Sequence, residues 1–123
     1  MSRSRAALLA TAYVALGAAA FAGLRAYEPV RVSGGSMYPA LRDGDVVFVS
    51  SRRKPVAGDI ALLHAPGHGP VLHRVVERQE DGTLLTKGDA NRLPDFAPTP
   101  ETAVLGTVVR VMPAGALLER VRD

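Results

Sequence analysis

From about residue 25 onward, clusters of Gly, Pro and Asp cut the chain into short Val-rich runs. Runs of about four to eight residues, β-branched and bounded by turn formers, are too short for core helices and read as strands. The pattern predicts strands over 45–50, 59–64, 71–78, 83–87 and 106–112. Turn chemistry separates them at Arg42-Asp43-Gly44, Ala57-Gly58, 66–70, Asp81-Gly82 and 94–100. Asp81-Gly82, flanked by Val75-Val76 and Leu84-Leu85, predicts a hairpin. This part of the chain is roughly 100 residues long, enough to bury one small core. A short helix is expected over 115–122, with Leu117, Leu118 and Val121 on one side.

The residues before this region have a different character. Residues 6–24 carry no charge, and such a stretch spans roughly 28 Å as a helix, close to the hydrocarbon thickness of a bilayer. Arg3 and Arg5 precede it, which favours a cytoplasmic N-terminus and an extracytoplasmic remainder. Arg25 and Arg31 beyond it make the charge bias modest. The expected organisation is an N-terminal tip and single transmembrane anchor over 1–25, then a β-rich domain over 26–123. Two other readings stay open: a cleaved signal peptide, with Ala20-Phe21-Ala22 as a small-x-small cleavage site, and a buried soluble helix.

Composition excludes several classes. The chain has no Cys, hence no disulfide framework and no Cys-ligated metal site. Three Tyr, three Phe and no Trp leave little surface for stacking on bases. The net charge of +3 forms no dense basic stripe, so it suits anionic lipid headgroups better than nucleic acid. No P-loop, dinucleotide fingerprint, G-x-S-x-G elbow or metal-ligand spacing occurs. No metal or organic cofactor is implied.

Three stretches can carry chemistry. The first is Gly34-Gly35-Ser36-Met37-Tyr38-Pro39-Ala40-Leu41. Two glycines allow a tight turn and close approach to a substrate, and Pro39 stiffens the chain beyond. Ser36 between them suits a nucleophile, and its own N–H suits an oxyanion donor; an ordinary loop serine is the plain alternative. The second is Val71-Leu72-His73-Arg74-Val75-Val76, where an imidazole in an apolar run needs a reason. It reads as a base or as a hydrogen-bonded strand histidine. His64 and His68 flank a Pro/Gly-rich loop and read as solvated, as does Lys54 in Arg52-Arg53-Lys54. The third is Leu85-Thr86-Lys87-Gly88-Asp89-Ala90-Asn91-Arg92-Leu93-Pro94-Asp95. Lys87 is the rival base, and Asp89 and Asp95 are carboxylates able to orient an imidazole. A turn built on the Asp89 and Asn91 side chains is the structural alternative.

Together these stretches resemble the signal peptidase I family of serine peptidases, and the likeness covers nearly the whole chain. Ser36-Met37-Tyr38-Pro39 is similar to that family's S-M-x-P box, Gly44-Asp45-Val46-Val47 to its G-D-x-V strand, and Gly58-Asp59-Ile60 to its next G-D turn. Lys87-Gly88-Asp89-Ala90-Asn91 with Asp95 resembles its K-G-D-N-N…D box. His73-Arg74-Val75 stands where most bacterial members carry Lys-Arg-Val, as in the endoplasmic-reticulum and archaeal subgroup. Ala40 and Ala90 depart from the usual Thr and Asn. The resemblance implies a signal-peptidase-like β-domain and a Ser/His/Asp endopeptidase. Ser36 would be the nucleophile, His73 the base, and Asp95 ahead of Asp89 the orienting acid. The second oxyanion donor is unassigned, since Gly34 has no hydroxyl. The implied substrates are exported preproteins cut after small residues at the membrane surface. A dedicated processing peptidase with one substrate, and an inactive membrane-tethered β-domain that binds a partner, are the alternatives.

Overall fold

The computed structural model describes residues 3–7, 9 and 27–115. Residues 3–7 and 9 are helical. Most of the expected membrane span over 6–24, and all but the first residue of the helix expected over 115–122, lie outside the described residues. Among the described residues no helix is long and apolar enough to cross a membrane.

Among the described residues six strands form one sheet: β1 (Tyr27–Arg31), β2 (Val46–Ser50), β3 (Ile60–Ala65), β4 (Gly69–Arg78), β5 (Leu84–Lys87) and β6 (Val104–Met112). Their order is β1-β2-β6-β3-β4-β5, and every neighbouring pair is antiparallel. The mostly β expectation and its five strands are present with ends moved by a few residues. The β4–β5 hairpin turns at Asp81-Gly82, where Gly82 adopts φ +85° and Asp81 Oδ1 accepts from the N–H and hydroxyl of Thr83.

β1 is the strand that sequence patterning misses. Tyr27-Glu28-Pro29-Val30-Arg31 shows no alternation of apolar and polar residues, and Pro29 argues against a strand. Among the described residues β1 pairs only with β2, and at such an edge the missing N–H of proline costs no ladder bond.

The sheet is covered on both faces at its centre. On β3, Leu62 packs with Leu72, Val47, Val49, Val32, Met37 and Leu41, while Ala61 and Leu63 pack on the opposite face with Val75 and Leu84. That double burial explains why β3 reads as a continuous apolar run. Each fully buried aliphatic side chain contributes roughly 1.5–3 kcal/mol. Met37 and Leu41, both almost fully buried, come from the 33–44 connection between β1 and β2, so this connection is part of the core and not a loose excursion.

Candidate active site

The 33–44 connection is closed at its base by two backbone bonds, Val32 N–H to the Asp45 carbonyl at 2.7 Å and Gly44 N–H to the Val32 carbonyl at 2.8 Å. The buried Asp45 side chain then takes the Arg42 N–H at 2.9 Å and the Gly115 N–H at 2.7 Å. Asp43 Oδ1 accepts from Gly34 N–H at 2.9 Å, and Gly34 sits at φ +84°, a region costly for residues with a Cβ. With Met37 sunk in the core, Ser36 is fixed from both sides. The Tyr38–Pro39 peptide is cis.

The far side of Ser36 rests on the turn that follows β5. The Ser36 carbonyl accepts from Ala90 N–H at 2.9 Å, and Asp89 N–H points at Met37 Sδ at 3.4 Å. A Cβ on Gly88 would lie 2.8 Å from the Ser36 oxygen and 2.6 Å from Asn91 Nδ2. Only glycine permits this approach without displacing the serine loop.

β5 ends where Lys87 pairs with Arg74. The first half of β4, from Gly69 to His73, therefore has a strand partner only on the β3 side among the described residues. Ser36 adjoins this unpaired edge. A cleft of about 400 Å³ runs between the end of β1 and the start of β4, lined by Val30, Val32, Ser36, Met37, Pro70 and Leu72 among others.

His73 Nδ1 lies 2.6 Å from Asp95 Oδ2, and Thr86 Oγ1 donates to the same oxygen at 2.6 Å. The Asp95 N–H is in turn held by the Thr86 carbonyl at 2.8 Å. An ionised carboxylate only accepts, so this contact keeps a proton on Nδ1 and leaves Nε2 of a neutral ring as the basic nitrogen. His73 is mostly buried, its side chain 13% exposed.

Asp89 is placed differently. Its carboxylate takes Arg74 Nε at 2.9 Å and Arg74 Nη2 at 2.8 Å, a two-pronged pair. Arg74 Nη1 also donates to the Gly58 carbonyl at 2.7 Å, tying the G-D turn before β3 to the same network. The Arg74 hydrogen bonds hold the Asp89 carboxyl below the usual carboxylate range against an opposing effect of burial, and Asp89 in return raises Arg74. Lys87 Nζ turns to the neighbouring Gly88 carbonyl at 3.3 Å.

Ser36, Gly34, Gly35, Met37 and Pro39 thus occupy one loop, and His73 with Asp95 the adjoining part of β4 and its flanking loop. Ser36 and His73 are not hydrogen-bonded to each other in this structure. Such contacts commonly tighten only when substrate binds. Lys54 is exposed, as expected, 3.8 Å from Glu101. His64 and His68 line a second cleft together with His73. Thr86 is the site residue that sequence reasoning passes over. The only sequence signal is a threonine at an inward position of Leu84-Leu85-Thr86-Lys87, where Leu84 and Thr86 alternate as buried residues.

The peptidase S24-like family matches residues 6–109, and the chain belongs to that family. Among individual proteins, it is similar to the signal peptidase complex catalytic subunit SEC11 of Lodderomyces elongisporus, 40% identical over 73 residues, covering 55% of this chain and 44% of that protein. The SEC11 subunit of Candida tropicalis is 38% identical over 73 residues, with the same coverage. The SEC11C subunit of Canis lupus familiaris is 40% identical over 73 residues, covering 54% of this chain and 38% of that protein. The matched region spans less than half the length of these relatives.

Proposed function

We propose that this chain is a membrane-anchored serine endopeptidase that removes N-terminal signal peptides from exported preproteins after small residues. The observation that carries the proposal is the His73–Asp95 contact of 2.6 Å on the strand whose preceding residues Pro70, Val71 and Leu72 line a cleft with Ser36. The relatives described as signal peptidase complex catalytic subunits support the substrate class.

In this reading an extended preprotein segment adds to the unpaired edge of β4, opposite the end of β1, and main-chain hydrogen bonds supply affinity. Ser36 Oγ attacks the carbonyl carbon before the scissile bond while His73 Nε2 takes its proton. The Ser36 N–H stabilises the oxyanion. His73 then gives the proton to the leaving amine, and a water activated by His73 releases the acyl group from Ser36. Asp95, steadied by Thr86, keeps the ring oriented and offsets its charge. Asp89 acts through Arg74 as a strut beneath the serine loop, and Lys87 takes no proton. The uncharged residues 6–24 with Arg3 and Arg5 before them support an anchor over 1–25 and an extracytoplasmic domain over 26–123. Anchoring puts enzyme and substrate on one surface, which serves proximity.

The test incubates full-length protein in detergent with a preprotein carrying an Ala-x-Ala site and follows product mass. Cleavage directly after the second Ala, lost in Ser36→Ala, is the expected result. A folded wild type that cuts none of several preproteins, yet binds one of them, would move the chain to a binding role.

A further inference from the structure

Asp45 is an acid only 3% exposed, with no part in the chemistry so far. Both of its carboxylate oxygens are used: Oδ2 accepts from the Arg42 N–H and Oδ1 from the Gly115 N–H. The second bond reaches across 70 positions of the chain. β6 ends at Met112, opposite Val46, so the chain beyond it runs alongside the residues that precede β2. There Gly115, itself buried, meets the end of the serine loop.

A Cβ on Gly115 would lie 2.4 Å from the Asp43 carbonyl oxygen, 2.9 Å from Asp45 Oδ1 and 3.1 Å from Arg42 Cβ. Gly115 does not adopt a positive φ, so space and not backbone conformation requires a glycine there. The three residues it meets close the 33–44 connection. Asp43 carries the contact to the near end of the loop, since its Oδ1 holds the Gly34 N–H at 2.9 Å, two residues before Ser36. The buried Leu41 carries it along the far end, its N–H donating to the Met37 carbonyl at 2.9 Å. Ser36 thus lies between two glycine seats. Gly88 lies against its carbonyl and Gly115 against the base of its loop.

We propose that Gly115 and Asp45 are positioning residues, a latch that ties the segment after β6 to the serine loop and sets where Ser36 stands relative to His73. The inference rests on the peptidase reading of Ser36. The latch lies apart from the His73–Asp95 contact and from Val30, Pro70 and Leu72 in the cleft wall. Its loss therefore lowers turnover and leaves substrate affinity and pH dependence in place.

The test compares full-length wild type, Asp45→Asn, Gly115→Ala and Val104→Ala in detergent. Asn accepts from one of the two N–H groups but sets its own NH2 against the other. Val104→Ala, against the core cluster on the other face of the sheet, controls for lost stability alone. Cleavage of an Ala-x-Ala preprotein gives kcat and KM, and deuterium uptake over residues 33–44 reads the loop without turnover. Asp45→Asn and Gly115→Ala should lower kcat by about 10- to 100-fold, the scale of an ångström-sized misplacement, with KM little changed and the pH profile unshifted. Both should speed uptake over 33–44 and leave 60–78 as in wild type, whereas Val104→Ala should lower Tm and keep kcat. Should Gly115→Ala fail to fold, Asp45→Asn decides alone. Folded variants with wild-type kcat overturn the latch, as does a kcat loss that Val104→Ala shares at equal Tm, or faster uptake throughout the sheet. A wild type that cuts no preprotein overturns the peptidase reading, and uptake over 33–44 then decides the latch by itself.

Discussion

At the scale of single residues, two acids six positions apart do different work because of what reaches them. Asp95 receives a ring nitrogen and a hydroxyl on one oxygen, and Asp89 receives a guanidinium on two. The family resemblance puts Asp95 ahead of Asp89, but residue type and spacing alone do not separate them, since the distinction depends on which face of β4 each neighbour occupies: His73 and Arg74 are adjacent and point to opposite faces. Thr86→Val should leave Asp95 with one fewer hydrogen bond. Stability should fall by about 1 kcal/mol, with kcat reduced roughly tenfold and KM little changed, read by denaturant titration and steady-state kinetics. Asp89 supports a second prediction. Its carboxyl is held low by Arg74, so its stabilisation is complete above the unfolded value near 3.9 and is lost as pH falls through the lower folded value. The difference in Tm between wild type and Asp89→Asn should be steady from pH 7 to about pH 5 and shrink below that. A difference that stays constant to pH 2 contradicts the assignment.

At the scale of elements, the site depends on where β5 stops. Its end at Lys87 leaves β4, from His73 back to Gly69, paired only with β3 among the described residues, and the Gly88–Ala90 turn is there to receive the serine loop. Gly88→Ala places a methyl 2.8 Å from the Ser36 carbonyl oxygen, an atom of backbone that cannot rotate away. The expected cost is about 2 kcal/mol, within the range of overpacking, together with a loss of activity larger than that destabilisation alone gives. Unchanged stability and turnover would show that the loop is not seated on this turn. Most strands were legible because β-branched runs ended at Gly, Pro and Asp. The Asp81-Gly82 hairpin was legible because its turn chemistry is local. β1 was not, since an edge strand with Pro29 owes its pairing to β2 and not to its own pattern. The seating of Ser36 on Gly88 was beyond sequence for the same reason: it joins residues 52 positions apart through backbone atoms.

At the scale of the whole molecule, one sheet brings the sequence stretches with chemical residues to a common edge. The serine loop arrives from between β1 and β2, the imidazole from β4 and its acid from the loop after β5. Two clefts share Val71 of β4 in their walls, one holding Ser36 and the other His73 and Asp95. The central claim is that Ser36 acts with His73 and not with Lys87. Its most direct measurement is kcat/KM for one Ala-x-Ala preprotein with full-length wild type, Ser36→Ala, His73→Ala and Lys87→Ala, each checked for folding. The account predicts that the Ser36 and His73 variants fall by about 10³-fold or more while Lys87→Ala stays within a few-fold of wild type. A dead Lys87→Ala beside an active His73→Ala contradicts it and makes the lysine the base.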